Sequence, residues 1–516
     1  MPIRMVDDPQ DPRRDEGGGR RPGFPGGGGM LGALLPLLLG LFRGKGGIVV
    51  IILIVGGYFL LNRSGGCNLG QVAQLFSQSG YSFNPNEFDK ASVYEELDEN
   101  NPGNALPEAV SLLKFAPQRL NQGEQGSCVA WSSGYAAQTI ATAAATGNEP
   151  NNIAFSPSYL YNQIRLDECQ GSYIQRAMET MQRNGGVPLS EYPYDDQDCQ
   201  RQPSPSQIQE GKQNAIHGFK RLTSGDNLNA ISIRAIKEHL AKDAPVVIGM
   251  MVGQSFMRPM MGEDLWQPGG MDESQMGMGG HAMCVIGYDD SKYGGAFQIM
   301  NSWGKEWGNN GIGWVQYGDF SRYVKEAYGI DPLPKRSDVA NIPLECSIGL
   351  VKNDDGQYIP LRLGNANYFE TVSPIQKGTR FKIEIKNETE CYIYIFGMET
   401  DGSSYVLFPY TNKHSPYCGI TGFRKFPREN SLMADDAGNK DFMAIVVSKD
   451  ELDYNSLNSA INSTSGSDYL TKLNNAVQSI AIRSASFNST ADGRIYFKVD
   501  ANDNKAVACV VAFDKN

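Results

Sequence analysis

A glutamine, Gln122, stands six residues before a cysteine, Cys128, in the run Asn121-Gln122-Gly123-Glu124-Gln125-Gly126-Ser127-Cys128-Val129-Ala130-Trp131. Two later runs carry His281 (Gly279-Gly280-His281-Ala282-Met283) and Asn301 (Asn301-Ser302-Trp303-Gly304). A thiol attacks a carbonyl as thiolate, and an unperturbed cysteine has a pKa of about 8.5. The sequence places Cys128 where that value should fall. Ser127 reads as an N-cap, residues 128–146 contain no proline and one interior glycine, Gly134, and Gly147 supplies the stop. Unpaired N–H groups and the macrodipole at a helix N-terminus favour a thiolate. An imidazole such as His281 can act as its base. Taken singly, each residue has a plainer reading. A lone free cysteine belongs in a core, a histidine opening an apolar strand is a satisfied core group, and an asparagine is a turn residue. The Gln-Gly-x-x-Gly-Ser-Cys setting turns the reading of Cys128 toward a nucleophile.

Cysteine, histidine and asparagine in this order, with a glutamine just upstream, resemble the papain-like cysteine peptidases, over motifs from Gln122 to Gly313. The resemblance implies the roles. Cys128 would form a thioester acyl-enzyme, and water would resolve it with His281 as base. Asn301 would hold the imidazole in its productive tautomer. Gln122, with the backbone N–H of Cys128, would stabilise the oxyanion. Trp303 and Trp307 would shield the Asn–His hydrogen bond. Gly171 and Ser172 stand where many members pair backbone with substrate, and Gly280 and Trp303 are placed with them at substrate-binding positions. The family's bridged loop implies a disulfide between Cys169 and Cys199, whereas Gln125 replaces another family cysteine. No metal or organic cofactor is implied. The function implied is a cysteine endopeptidase acting on peptide or protein substrates. A catalytically silent peptide-binding surface protein and a transpeptidase with an amine acceptor stay open as alternatives.

The elements that must position these residues read as α+β: a papain-like two-lobed catalytic domain, with a helical lobe and a β-barrel-like lobe, at residues 105–330. Helices are expected from Ser156-Pro157 onward, over 174–184 with Gly185-Gly186 as stop, and over 231–242. His239 reads there as solvated. Strands are expected at 245–249, 282–288 and 297–301. Residues 250–280 carry eight methionines, read either as a wall over the cleft or as a loop packed on its own domain. After a linker at 331–344, residues 345–516 read as a β-rich accessory domain resembling bacterial domains of unknown function beside extracytoplasmic enzymes. It is expected to hold hairpins 380–386/392–396 and 494–499/506–513, and one helix through Tyr469, Leu470, Leu473, Val477 and Ile480. Its expected role is binding another protein or a cell-envelope component.

The chain has 516 residues, nine cysteines and a net charge of −11. No basic stripe points to nucleic acid, and no CxxC or His-Glu-x-x-His run points to a metal site. Residues 1–45 form a Gly/Arg-rich leader expected to be disordered and cytoplasmic. It includes an apolar stretch at 30–42, expected to lie at the membrane surface. Residues 46–62 are expected to make one transmembrane helix, short against the usual length of about 20. The Lys and Arg before it put the catalytic domain outside, in the periplasm or on the cell surface of a bacterium. Residues 63–104 are largely polar and read as a spacer or a short pro-segment.

Overall fold

The computed structural model describes residues 3–8, 80–270, 272, 278–334, 342–464, 468–500 and 505–516. The apolar stretch at 30–42 and the expected transmembrane segment at 46–62 lie outside these residues. Among the described residues no helix is long and apolar enough to cross a membrane.

The helical lobe is built round one helix over residues 128–146, whose middle, Trp131–Gln138, takes the wider π form. Cys128 through Ala141 are all buried, so the helix runs through the core and is covered on every side. Gly134 lets Pro157–Ile164 approach; a Cβ there would sit 3.1 Å from Leu160 Cδ2. Gly147 ends the helix at φ 73°, donating its N–H to Ala143 O. Ser156 caps Pro157–Ile164, and Gly185 closes Ile174–Asn184.

The second lobe is an eight-stranded sheet. Its order is Phe219–Arg221, Val324–Ile330, Val246–Val252, Gly279–Asp289, Ala296–Met300, Ile312–Gln316 and Leu265–Trp266, with Ala109–Ser111 added against Gly279–Asp289. The central strands are apolar on both faces and are buried on both. Met250, Met260 and Met278 are part of this core, while Met261 is exposed. Met271 and Met276 lie outside the described residues.

From Leu344 a second domain stacks two sheets face to face over one core. Neither expected hairpin forms. Arg380–Asn387 pairs with Leu344–Lys352 and Gly422–Phe426, while Cys391–Met398 lies in the other sheet beside Lys440–Ser448. Ile495–Val499 and Ala506–Asp514 are divided in the same way. Ile383 and Ile385 meet Ile393 and Ile395 across the sandwich, not edge to edge. The opposite face of Cys391–Met398, Tyr394 and Phe396, packs under two helices, Tyr454–Ser463 and Tyr469–Ala476, where one was expected.

One expectation for the N-terminal part is corrected. Ile3–Asp7 is a strand, antiparallel to Asn430–Ala434, and not part of a disordered leader. Residues 80–104, within the stretch expected as a spacer or a short pro-segment, bury Phe88, Ala91, Val93, Tyr94 and Leu97.

Candidate active site

Cys128 is the first residue of the long helix. Ser127 holds the N-cap position but makes no capping bond. Its Oγ lies 2.7 Å from Tyr194 Oη, which donates to Gln122 O. The expected hydroxyl cap is therefore replaced by a link from the helix start to the Gln122 loop.

His281 enters from the strand lobe on Gly279–Asp289, opposite Met250. Its neighbour Ala282 donates a backbone N–H to Cys128 Sγ at 3.4 Å, bringing the two lobes together at the thiol. His281 Nε2 lies 2.7 Å from Asn301 Oδ1. Ser302 N donates to the same oxygen at 2.7 Å. A backbone N–H can only donate, so this atom is the amide oxygen, and Nε2 must carry the imidazole proton. Nδ1 is then the basic nitrogen, and it is buried with no hydrogen-bond partner. Trp303 stacks on the ring, with centroids 4.4 Å apart at 29°. Trp307 lies edge-on behind Trp303 and donates its indole N–H to Phe256 O. Trp303 thus covers the His–Asn pair, and its ring contacts are His281, Phe256 and Trp307.

Gln122 is fixed from both sides. Its Nε2 donates to Gln125 O at 2.9 Å, and its Oε1 accepts from Ser302 Oγ at 2.6 Å. Ser302 was quoted in the Asn-Ser-Trp-Gly motif without a role; it joins the glutamine loop to the asparagine loop. Cys169 and Cys199 are disulfide-bonded, with Cα atoms 6.2 Å apart.

The cleft is occupied by the chain's own residues 80–82. Ser172 N donates to Gly80 O at 2.8 Å and Ser82 N to Ser172 O at 3.2 Å, a parallel bridge centred on Tyr81 and Ser172. Glycines make the room. A Cβ at Gly171 (φ 84°) would lie 2.4 Å from Gly80 O, one at Gly280 2.4 Å from Tyr81 O, and one at Gly249 2.2 Å from Tyr81 Cζ. Gly171, Ser172 and Gly280 therefore line a groove shaped for an extended peptide. The Tyr81 side chain fills a pocket with Glu326, which sits in the buried strand Val324–Ile330 and is 2% exposed. Burial pushes the Glu326 carboxyl up to about 8, while the hydroxyls of Tyr328 and Tyr81 pull it down. Neither Tyr81 nor Glu326 was singled out from sequence; a carboxylate inside an apolar strand was the available signal.

Burial pushes the Cys128 thiol up to about 11, against backbone N–H groups of Ala282, Gly80 and Val129 that pull it down. Burial brings His281 down to about 4, opposed by its bond to Asn301. In both groups burial works against the charged form. The Gly80 backbone N–H also points at the sulfur. His239, expected in solvent, is buried; its Nδ1 lies 2.8 Å from Ala235 O and its pKa falls to about 4. Among the described residues no cluster of His, Cys, Asp and Glu could hold a metal ion.

The family model for papain family cysteine proteases matches residues 114–331. This region is a papain-family cysteine protease domain. The papain-family domain is 30% identical over 217 residues to an uncharacterized peptidase C1-like protein of Acanthamoeba polyphaga mimivirus, covering 40% of this chain and 64% of that protein. It is 27% identical over 231 residues to cathepsin K of Mus musculus, covering 44% of this chain and 63% of that one. The chain thus spans less than two thirds of the length of these curated relatives. Among solved structures it is similar to xylellain, a cysteine protease from Xylella fastidiosa, with 24% identity, a TM-score of 0.42, and coverage of 50% of this chain and 97% of that one.

Proposed function

We propose that the papain-family domain is a cysteine endopeptidase in a self-blocked form. Cys128 Sγ attacks the substrate carbonyl carbon while its proton passes to His281 Nδ1. The oxyanion is met by the Cys128 backbone N–H and the Gln122 amide. The imidazolium returns its proton to the leaving amine, and a thioester remains. Water, deprotonated by His281, attacks the thioester and releases a carboxylate and the thiol. Asn301 and the Trp303 stack keep Nε2 protonated and the ring oriented. The observation that carries this reading is His281, with its Nδ1 free and Nε2 bound to Asn301, set beside the helix-terminal thiol. The Cys169–Cys199 bridge supports an oxidising compartment for the domain. With the cleft opened, a peptidyl epoxide should alkylate Cys128, and peptide hydrolysis should stop in step with labelling. Alkylation elsewhere with hydrolysis intact would reject the assignment.

The pocket filled by Tyr81 is the one that sorts substrates. A carboxyl held near neutrality by burial ionises when a cation arrives, so a Lys, Arg or Tyr side chain should be favoured there over Leu. In a chain with an open cleft, Glu326→Gln should lower kcat/KM for the Lys and Arg peptides about tenfold and leave the Leu peptide within about twofold, since a charge-assisted bond becomes a neutral one. A peptide series varied at that one position reads the effect, and an unchanged ranking would reject the pocket assignment.

A further inference from the structure

Beyond Tyr81 the blocking segment surfaces at residues 83–86 and is then anchored by the buried Phe88, Ala91, Val93, Tyr94 and Leu97. It runs between the catalytic and C-terminal domains and binds both. On the catalytic side, Phe88 packs edge-on against Tyr328 at 5.2 Å, Asp89 pairs with the wholly buried Arg221 at 2.7 Å, and Tyr94 donates its hydroxyl to Glu238. The backbone is paired there too, Tyr94 N donating to Arg221 O at 3.1 Å and Ser92 O accepting from Arg221 N at 2.9 Å, and the C-terminal domain adds a second set of contacts on the other side. Val93 donates to Lys413 O at 2.7 Å and accepts from Ser415 N at 3.2 Å, so it is held like a residue in a sheet. Asp98 N donates to Phe423 O, and the Asn104 side chain brackets the same residue, giving to its carbonyl and taking from its N–H, each at 2.9 Å.

Charge follows the same division. Asp89, Glu96 and Asp98 of the segment meet Lys413, Arg428 and Lys425 of the C-terminal domain. Arg424 is buried outright, and its guanidinium donates to Glu95 O, Tyr94 Oη, Asn387 Oδ1 and Ile420 O. Two of the four acceptors of that buried cation therefore come from the segment. A buried guanidinium that loses an acceptor is strongly destabilised, so the C-terminal domain favours the segment staying in place. By contrast, the backbone grip on residues 80–82 in the cleft is the short bridge to Ser172.

We propose that the C-terminal domain is the latch of the blocking segment: it grips residues 93–104 and so keeps residues 80–82 seated over Cys128. The proposal rests on the reading of residues 80–82 as a mask over a nucleophile. Its specific content is that the grip comes from a domain outside the protease fold, giving that domain a regulatory function. Whatever loosens its face around Lys413, Phe423 and Arg428 unmasks the thiol.

The test uses the full chain and the rate at which a peptidyl epoxide alkylates Cys128. Arg428→Glu puts like charges at the Glu96 contact and should speed alkylation at least tenfold. Exchanging the pair, Glu96→Arg with Arg428→Glu, should bring the rate back to within about threefold of the unaltered protein, which mere loosening of the fold would not do. Gly80→Val, which disturbs the mask without touching the latch, is the reference. A folded Arg428→Glu protein that reacts at the unaltered rate, while Gly80→Val reacts quickly, overturns the latch. If both react slowly, the mask itself is wrong. Should Arg428→Glu fail to fold, as judged by its circular dichroism, Lys413→Ala breaks the exposed contact to Asp89 and should accelerate alkylation severalfold; an unchanged rate there also overturns the proposal.

Discussion

Cys128→Ala and His281→Ala should each lower peptide hydrolysis by at least about 10⁴, in a chain whose cleft has been opened. The thiol supplies the bond-forming electrons, and no neighbouring group stands in for it. His281 supplies the proton acceptor, because its Nδ1 is the one ring nitrogen that Asn301 leaves unengaged. Losing either breaks the same step, so the double variant should be no worse than the worse single one. Asn301→Ala and Gln122→Ala should fall less. Loss of one oxyanion donor costs about 10²–10³ in rate, and Gln122 also loses its bond from Ser302 Oγ. Steady-state rates on one peptide check the whole set. Full activity in Cys128→Ala would end the mechanism, and a double variant far below both singles would show that the two residues do not act as one unit.

Gly80→Val should raise alkylation of Cys128 by about 100-fold over the unaltered chain. A Cβ at Gly80 would fall 2.0 Å from Gly126 O, an approach that no rotamer relieves because both partners are backbone. Overpacking of this kind costs about 1–3 kcal/mol, and about 2.8 kcal/mol is a hundredfold in a population ratio. The segment gives way before the catalytic domain does, since Gly126 lies in the loop that starts the buried helix. Once the cleft is wet, the burial that works against the charged forms of Cys128 and His281 is relieved, and a thiolate–imidazolium pair becomes accessible. Timed alkylation followed by peptide mapping reads this directly, and equal rates in the two proteins would show that residues 80–82 are not the mask.

Much of the site was legible because its chemistry is written locally. The Gln122–Cys128 spacing, the glycines before His281 and the Trp303-to-Trp307 run each carry their meaning within a few residues. Helix ends at Gly147 and Gly185 were equally plain, since a left-handed terminus needs glycine. What escaped depends on partners far away in the chain. His239 sits among Lys237 and Glu238 and reads as solvated, yet Tyr94 covers its ring at 4.6 Å and also bonds Glu238. Ser127 looked like a cap because the type is right; Tyr194, distant in sequence, took its hydroxyl. The missed hairpins show a different limit. Tyr392-Ile393-Tyr394-Ile395-Phe396 is apolar at every position, the mark of a strand buried on both faces, and such a strand is placed by what covers it, not by its nearest neighbour in sequence. Tyr81 gave no signal, because nothing in a lone tyrosine says that a groove of glycines has been cut to receive it.

The N-terminal strand Ile3–Asp7 and residues 93–104 are both docked on the C-terminal domain, on either side of the masking tripeptide in the sequence. In the intact chain, masking is therefore unimolecular: its strength is set by an effective concentration of the order of millimolar and is the same in dilute and crowded solution. A nick before residue 80 leaves that unchanged, because the tripeptide still continues through residues 83–104 into the catalytic domain. A nick between residues 82 and 93 does not. It leaves the tripeptide joined covalently only to the N-terminal strand, whose hold on Asn430–Ala434 is non-covalent. Masking then obeys mass action, and the nicked protein gains activity on dilution. The position of a cut, more than its occurrence, decides whether this chain changes state.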